Sequence, residues 1–232
     1  MRICAAGSDV EIHFEDWVAG VFDHPVTKPE WHWGPEATNW SRPNEEALEF
    51  TARLFDQPAE ILRRFSDAQL NQGFWFLLGS NGDVMRGLDN EDIAWELRLR
   101  CIRSFSSVFE TLFATRCSSH LSHLRRTNVP DDPGLSSLNE VCYMWWDFDC
   151  WCARPEVVAH RKIDAAFLEV MEQTLGLPHD ACRESALHGL GHWHREYPAE
   201  TTTIIDAFLE QSGPIREELR DYAQQARQGC VL

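Results

Sequence analysis

From residue 44 onward the chain repeats its apolar residues at the spacing of an α-helix, and this periodicity constrains the fold more than any other feature. Pro43 opens a first segment in which Leu48, Thr51, Ala52 and Phe55 recur at i, i+3, i+4 and i+7. The clearest segment spans residues 92–115. Its apolar stripe keeps one face over about four turns and consists of Leu97, Cys101, Phe105, Val108, Phe109 and Leu112.

Turn residues divide this pattern into roughly eight helices, so we expect an all-α fold. After the first helix, the predicted helical segments are 59–65, 69–78, 92–115, 138–151, 155–175, 180–195, 201–211 and 215–227. Residues 118–137 are polar and predict a long loop. Short turns between most neighbours predict antiparallel helical hairpins, arranged as an α-α superhelix or an irregular array like that of helical-repeat proteins.

One segment carries a family resemblance. Residues 184–211, ESALHGLGHWHREYPAETTTIIDAFLEQ, combine a helix rich in small residues, a turn with proline and an aliphatic second helix. In this respect the segment resembles a unit of the HEAT and armadillo repeat families. The resemblance implies a curved scaffold that binds partners and has no catalytic residues to carry over. The possible hairpins 44–78, 138–176 and 180–212 have lengths in or near the range of α-helical repeats.

The first 42 residues differ from the rest of the chain. Val10–Phe14 alternates like a short strand, and a stretch rich in proline and tryptophan follows it. We therefore expect residues 1–42 to form an irregular strap laid over a single α-helical domain of residues 43–232. A conformational lid, or a peptide that docks on another protein, is the alternative. In that case the candidate contact residues are Trp31, Trp33 and Trp40.

The charge balance limits the partners. The chain has 21 basic and 37 acidic residues, a formal net charge of −16. This sign disfavours nucleic acid and anionic membrane surfaces, because both would be repelled, and it favours a basic protein partner. The sequence has neither a run of roughly 20 apolar residues nor a recognisable export signal. We therefore expect a cytoplasmic protein whose cysteines are mostly reduced and buried.

The best candidate chemistry lies on the predicted helix 180–195. Glu184, His188 and His192 are spaced by four residues and share one stripe, on which Arg195 also falls. Two histidines one turn apart can reach the same metal ion, and a carboxylate one turn earlier can complete three ligands. The alternative is a partner-binding or purely structural stripe. Ligands arriving from another helix would distinguish the two.

Two other clusters favour structural interpretations. Cys150 and Cys152 have one residue between them, whereas structural zinc sites have at least two. The residues around them are therefore predicted to pack between helices. His120 and His123, with Arg125 and a neighbouring arginine, form a small basic cluster in the polar loop, and we expect it to be solvated.

These observations leave three classes of function open. The leading hypothesis is a non-enzymatic acidic scaffold that binds another protein, such as an inhibitor or immunity protein for a basic partner, with no catalytic residue and no cofactor. The alternative is a hydrolase with one divalent metal such as Zn²⁺ at Glu184, His188 and His192, and with Asp147 or Asp149 as base. A small-molecule binder lined by aromatic side chains is the third class.

Overall fold

Helices build the described part of the chain. The computed structural model describes residues 12–124, 134–148, 152–211 and 215–231, and no strand occurs in these ranges. The all-α prediction is therefore confirmed. The α-helices are α1 (Phe14–Phe22), α2 (Asn44–Asp56), α3 (Pro58–Ile61), α4 (Asp67–Phe74), α5 (Asp83–Asp89), α6 (Trp95–Ser107), α7 (Ala114–Arg116), α8 (Leu138–Tyr143), α9 (Arg161–Leu175), α10 (Asp180–Trp193), α11 (Pro198–Gln211) and α12 (Glu217–Ala226).

Two predicted helices contain a wider π-helical segment. The helix predicted at 92–115 is α6 and α7, joined through the π-helical segment Val108–Phe113. A second π-helical segment, Trp75–Ser80, continues α4. The helix predicted at 138–151 is shorter than expected, since α8 is followed by the 3-10 turn Met144–Trp146.

The N-terminal segment is less irregular than predicted. A nine-residue helix, α1, occupies part of it. This helix forms because Phe14, Trp17, Val18 and Val21 recur at helical spacing and bury one face. The strand suggested by Val10–Phe14 does not form at its described end, because Phe14 begins α1, while residues 10 and 11 lie outside the described ranges.

The tryptophans of this segment mostly pack inward. The Trp40 ring covers Gly20, where an added Cβ would lie 2.2 Å from the ring. Trp31 stacks on the His24 ring at 3.8 Å between centroids and packs against the core. Trp33 differs, because it is 69% exposed. Trp17, Trp31 and Trp40 therefore join the hydrophobic core of the helices that follow.

The core surrounds Trp145 and the central helix α10. The Trp145 ring is fully buried and meets the rings of Phe74, Phe105, Phe109 and Phe113 at centroid distances of 5.2 to 5.7 Å. α10 packs against α8, α9, α11 and α12. Within the described residues, no helix combines the length and apolar character that crossing a bilayer requires.

Candidate metal centre

Two separate parts of the chain bring three metal-ligating side chains together. His188 and His192 lie one turn apart on α10, and Asp147 follows the 3-10 turn Met144–Trp146. Gly189 allows the Trp146 ring to pack directly on α10, since an added Cβ would lie 2.6 Å from that ring. This contact places Asp147 beside the two histidines.

The three side chains are close enough to share one ion. The Nε2 atom of His188 lies 3.0 Å from Oδ2 of Asp147, and Nε2 of His192 lies 3.0 Å from Oδ1. The two Nε2 atoms are 3.2 Å apart. One ligand atom from each residue lies within 4.8 Å of the others, and in the described ranges no other group of three or more His, Cys, Asp or Glu side chains meets this criterion.

Burial and charge suit a cation at this point. The His188 side chain is fully buried and that of Asp147 is partly buried, whereas the His192 side chain is 42% exposed. Burial raises the pKa of Asp147, but hydrogen bonds from His188 and His192 lower it by more, so the pKa lies well below its ordinary value. The carboxylate is therefore ionised at neutral pH, and solvent reaches the site from the His192 side.

A buried hydroxyl group supports the deeper histidine. The Tyr222 oxygen lies 2.7 Å from Nδ1 of His188 and 3.1 Å from the Tyr143 hydroxyl. Burial and the neighbouring Tyr143 hydroxyl raise the pKa of Tyr222, so its phenol stays neutral. When Nδ1 of His188 carries the ring proton, it can donate to the Tyr222 oxygen and leave Nε2 free for a metal. Such an outer contact is how proteins orient metal-binding histidines.

Glu184, predicted as the third ligand, lies elsewhere. Its carboxylate is fully buried and accepts hydrogen bonds from the backbone N–H groups of Ser122 and His123 at 2.8 and 2.9 Å. It also pairs with Nδ1 of His123. Glu184 is placed there by tertiary packing. The segment around residue 122 lies against this turn of α10, and its backbone N–H groups need an acceptor. Asp147 takes the position beside the two histidines.

The structure also separates the predicted partner-binding residues. Glu184 and His188 are fully buried and therefore cannot contact a partner in this conformation. Arg195 is exposed and lies next to Glu196. His123, expected in a solvated loop, instead stacks on the Tyr222 ring at 4.1 Å. Asp149, predicted as a possible base, lies outside the described residues, as does Cys150.

Sequence reasoning missed two members of the site. The sequence does not predict Asp147 as a ligand beside the two histidines, because no local spacing connects it with residues 41 and 45 positions further on. Tyr222 lies on α12 and carries no sequence signal for this role, since an amphipathic helix buries such a tyrosine in any case. Both depend on how α8, α10 and α12 pack.

Comparisons with known proteins identify no relative of this chain. No family model, curated protein or solved structure matches the chain. The likeness of residues 184–211 to a HEAT or armadillo unit stays a prediction.

Proposed function

We propose that this chain is a metal-dependent hydrolase that holds one divalent ion, such as Zn²⁺, between Asp147, His188 and His192. The observation that carries the proposal is the convergence of three ligand atoms within 4.8 Å from two separate segments. Catalytic zinc sites use three protein ligands of these kinds and leave a position for water. The exposed side of His192 supplies access for that water.

The proposed chemistry is activation of water. A bound divalent ion lowers the pKa of its water to about 7 and polarises the carbonyl or phosphoryl oxygen that the water attacks. Asp147 serves as a ligand in this proposal, so it is not the base suggested by its sequence position. Tyr222 holds His188 in place from behind.

Metal identity is part of the test, because two histidines and one carboxylate also hold iron in Fe(II) oxygenases. The protein is purified without a histidine tag and its metals are measured by mass spectrometry. We expect about one zinc per chain, lost in Asp147→Asn and in His188→Ala. His194→Ala is the matched control, since His194 follows the same helix but bonds Thr201 instead.

The metal measurement is followed by assays on ester, amide and phosphoester substrates with zinc-loaded protein. Hydrolysis that disappears in His188→Ala and persists in His194→Ala supports the proposal. A folded wild-type protein that takes up no zinc overturns it. Stoichiometric iron instead of zinc rejects the hydrolase and favours an iron-dependent oxygenase.

Binding to a basic protein stays a prediction from charge, and a cytoplasmic location also stays a prediction. The net charge of −16 favours such a partner. Of the side chains predicted to contact it, Trp33 and Arg195 are the most exposed. Capture of a basic partner that weakens as salt is raised, and that Trp33→Ala reduces, supports this prediction. Capture that does not respond to salt contradicts it.

A further inference from the structure

A cavity of about 700 Å³ lies beside the proposed metal centre. Its wall includes Asp147, which also belongs to the metal-ligating group. The other walls come from the N-terminal segment near residues 26–33, from α4 with its π-helical continuation, and from the start of α8. This volume falls in the range of small-molecule sites.

Aromatic rings form part of the cavity lining. Trp75 and Phe148 meet edge to face, with centroids 4.9 Å apart. Trp33 lines the cavity and is 69% exposed, the most exposed aromatic ring among the described hydrophobic side chains. A large exposed ring beside a cavity offers a face to an apolar group or to a cation.

The charged groups of the lining are mainly acidic. Glu30, Glu140 and Asp147 line the cavity, against one cation, Lys28. In the described ranges neither Glu30 nor Glu140 has a salt-bridge partner. Asp147 is paired with the two histidines of α10, so Glu30 and Glu140 are the carboxylates that favour a positively charged occupant.

Two buried polar atoms of the lining residues lack partners. His32 is 8% exposed, and its Nδ1 pairs with the Ser80 hydroxyl at 3.1 Å, but its Nε2 has no hydrogen bond. The amide of Gln72 donates to the Thr27 carbonyl, while its Oε1 accepts from no group. Burial lowers the pKa of His32, so the ring is neutral. When its Nδ1 carries the proton and donates to the Ser80 hydroxyl, Nε2 is the free acceptor. Native proteins rarely leave such atoms without a partner.

We propose that this cavity binds a small primary ammonium compound with an aromatic body. The ammonium N–H groups would meet acceptor atoms and carboxylates, and the body would pack on Trp33 and Trp75. Ligand binding requires no metal. That such an amine is the substrate rests on the proposed hydrolase function, because Asp147 joins the cavity to the metal centre.

The test compares three probes of similar shape, which are benzylamine, benzyl alcohol and benzoate. Binding to metal-free protein in a chelating buffer is measured by calorimetry and by tryptophan fluorescence. We expect benzylamine to bind at least about tenfold more tightly than benzyl alcohol, and benzoate to bind least. Equal affinity for the three probes, or no binding of benzylamine, overturns the proposal.

Variants locate the binding site. Trp33→Ala is expected to weaken benzylamine binding roughly threefold to tenfold, because the packing of the ligand ring on the indole is lost. Glu140→Gln should also weaken it, because a carboxylate that attracts the ammonium is removed. Glu110→Gln, an exposed acid outside the cavity lining, is the control and should change nothing. If Trp33→Ala does not fold, Glu140→Gln decides, because Glu140 is exposed. Benzylamine binding that both folded variants retain in full rejects this cavity.

The two proposals fail separately. Wild-type protein that binds benzylamine but no zinc overturns the hydrolase and supports the cavity assignment. Wild-type protein that binds zinc but not benzylamine overturns the cavity assignment alone.

Discussion

A single hydroxyl group orients the buried histidine of the proposed metal centre. The Tyr222 oxygen is the contact of His188 Nδ1, and the Tyr143 ring lies 4.3 Å from the same imidazole. Tyr222→Phe keeps the ring and removes this contact together with the hydrogen bond to the Tyr143 hydroxyl. We expect zinc affinity to fall about 10- to 100-fold, as for other outer-sphere partners of metal ligands. Competition with a chromogenic chelator measures the change.

The control for Tyr222→Phe is Tyr197→Phe. The Tyr197 hydroxyl donates to Asp164, away from the metal-ligating group. Its removal should alter stability without changing zinc affinity. Equal zinc affinity in Tyr222→Phe and wild type would show that the hydroxyl does not orient His188.

The buried carboxylate of Glu184 holds the segment at Ser122 and His123 and lies outside the metal-ligating group. It accepts from two backbone N–H groups, and Glu184→Ala would leave both without an acceptor. We expect this substitution to lower the free energy of unfolding by about 2–4 kcal/mol. Glu184→Gln should cost less and keep about one zinc per chain. Urea denaturation with metal analysis checks both, and a folded Glu184→Gln without zinc would return this residue to the ligand set.

At the scale of elements, α10 depends on two glycines for its close neighbours. An added Cβ at Gly189 would lie 2.6 Å from Trp146, and one at Gly191 would lie 2.5 Å from Val231. Glycine lowers helix propensity by about 1 kcal/mol relative to alanine, so an exposed Gly→Ala change would stabilise. Here the steric conflict with a buried tryptophan is the larger effect.

Gly189→Ala is therefore expected to destabilise the protein, although helix propensity alone would favour alanine. We expect the free energy of unfolding to fall by about 1–3 kcal/mol, and zinc affinity to fall as Trp146 displaces Asp147. Thr203→Ala, exposed on α11, is the control and should be neutral or stabilising. Thermal unfolding and zinc titration measure both effects. A stabilised Gly189→Ala would contradict the packing described.

A charged network ties the end of α5 to the start of α9. Nδ1 of His160 lies 2.8 Å from Asp164, and Nε2 lies 3.0 Å from Asp89, which Arg154 also contacts. Burial lowers the pKa of His160, but hydrogen bonds to the two carboxylates raise it by more. Burial raises the pKa of Asp89, but hydrogen bonds from His160 and Arg154 lower it by more.

These shifts predict a pH-dependent contribution to stability. The raised pKa of His160 means that its contribution is complete below the ordinary value, about 6.5, and is lost as the pH rises through the folded-state pKa. Because the pKa of Asp89 is lowered, its contribution to stability is complete above the ordinary value, about 4, and is lost as the pH falls through the folded-state pKa. We expect His160→Gln to lower the free energy of unfolding by about 1.5–3 kcal/mol at pH 6 and by less at pH 8.5.

Tyr197→Phe serves as the control for the pH effect. It removes a hydrogen bond to the same Asp164, and because its phenol is neutral at both pH values its effect should not change. Urea denaturation at the two pH values gives the comparison. An equal loss at both values in His160→Gln would contradict a protonated His160.

Local pattern explains which helices could be predicted. The stripe of α6 and the turn residues around α10 and α11 mark these helices from sequence alone. The sequence does not predict α5, because Gly87 lies inside it and glycine disfavours a helix interior. The structure gives that glycine a packing role, since an added Cβ would lie 2.7 Å from the Asn44 carbonyl on α2. α1 was missed although its spacing is helical, because the prolines and tryptophans that follow dominated the interpretation.

At the scale of the whole molecule, the proposed metal centre shows where prediction from sequence stops. The two histidines of α10 are predictable because helical spacing puts them on one face. The carboxylate that joins them is chosen by packing: Glu184 is one turn from His188 but faces the segment at residue 122, while Asp147 arrives through Trp146 and Gly189. Contacts between distant segments decide this, and periodicity does not encode them.

The proposed ion should also act on the stability of the entire fold, because its ligands link α10 to the segment after α8. A ligand that binds only the folded state stabilises it by RT ln(1 + [L]/Kd), about 2.7 kcal/mol at one hundred times Kd. For a chain of this length that predicts a rise in Tm of about 5–10 °C. Differential scanning fluorimetry with Zn²⁺ measures it. His188→Ala should lose the rise. Cys152→Ser and Cys230→Ser should keep it; they remove the two exposed thiols among the described residues. A rise that survives in His188→Ala would place the stabilising ion elsewhere.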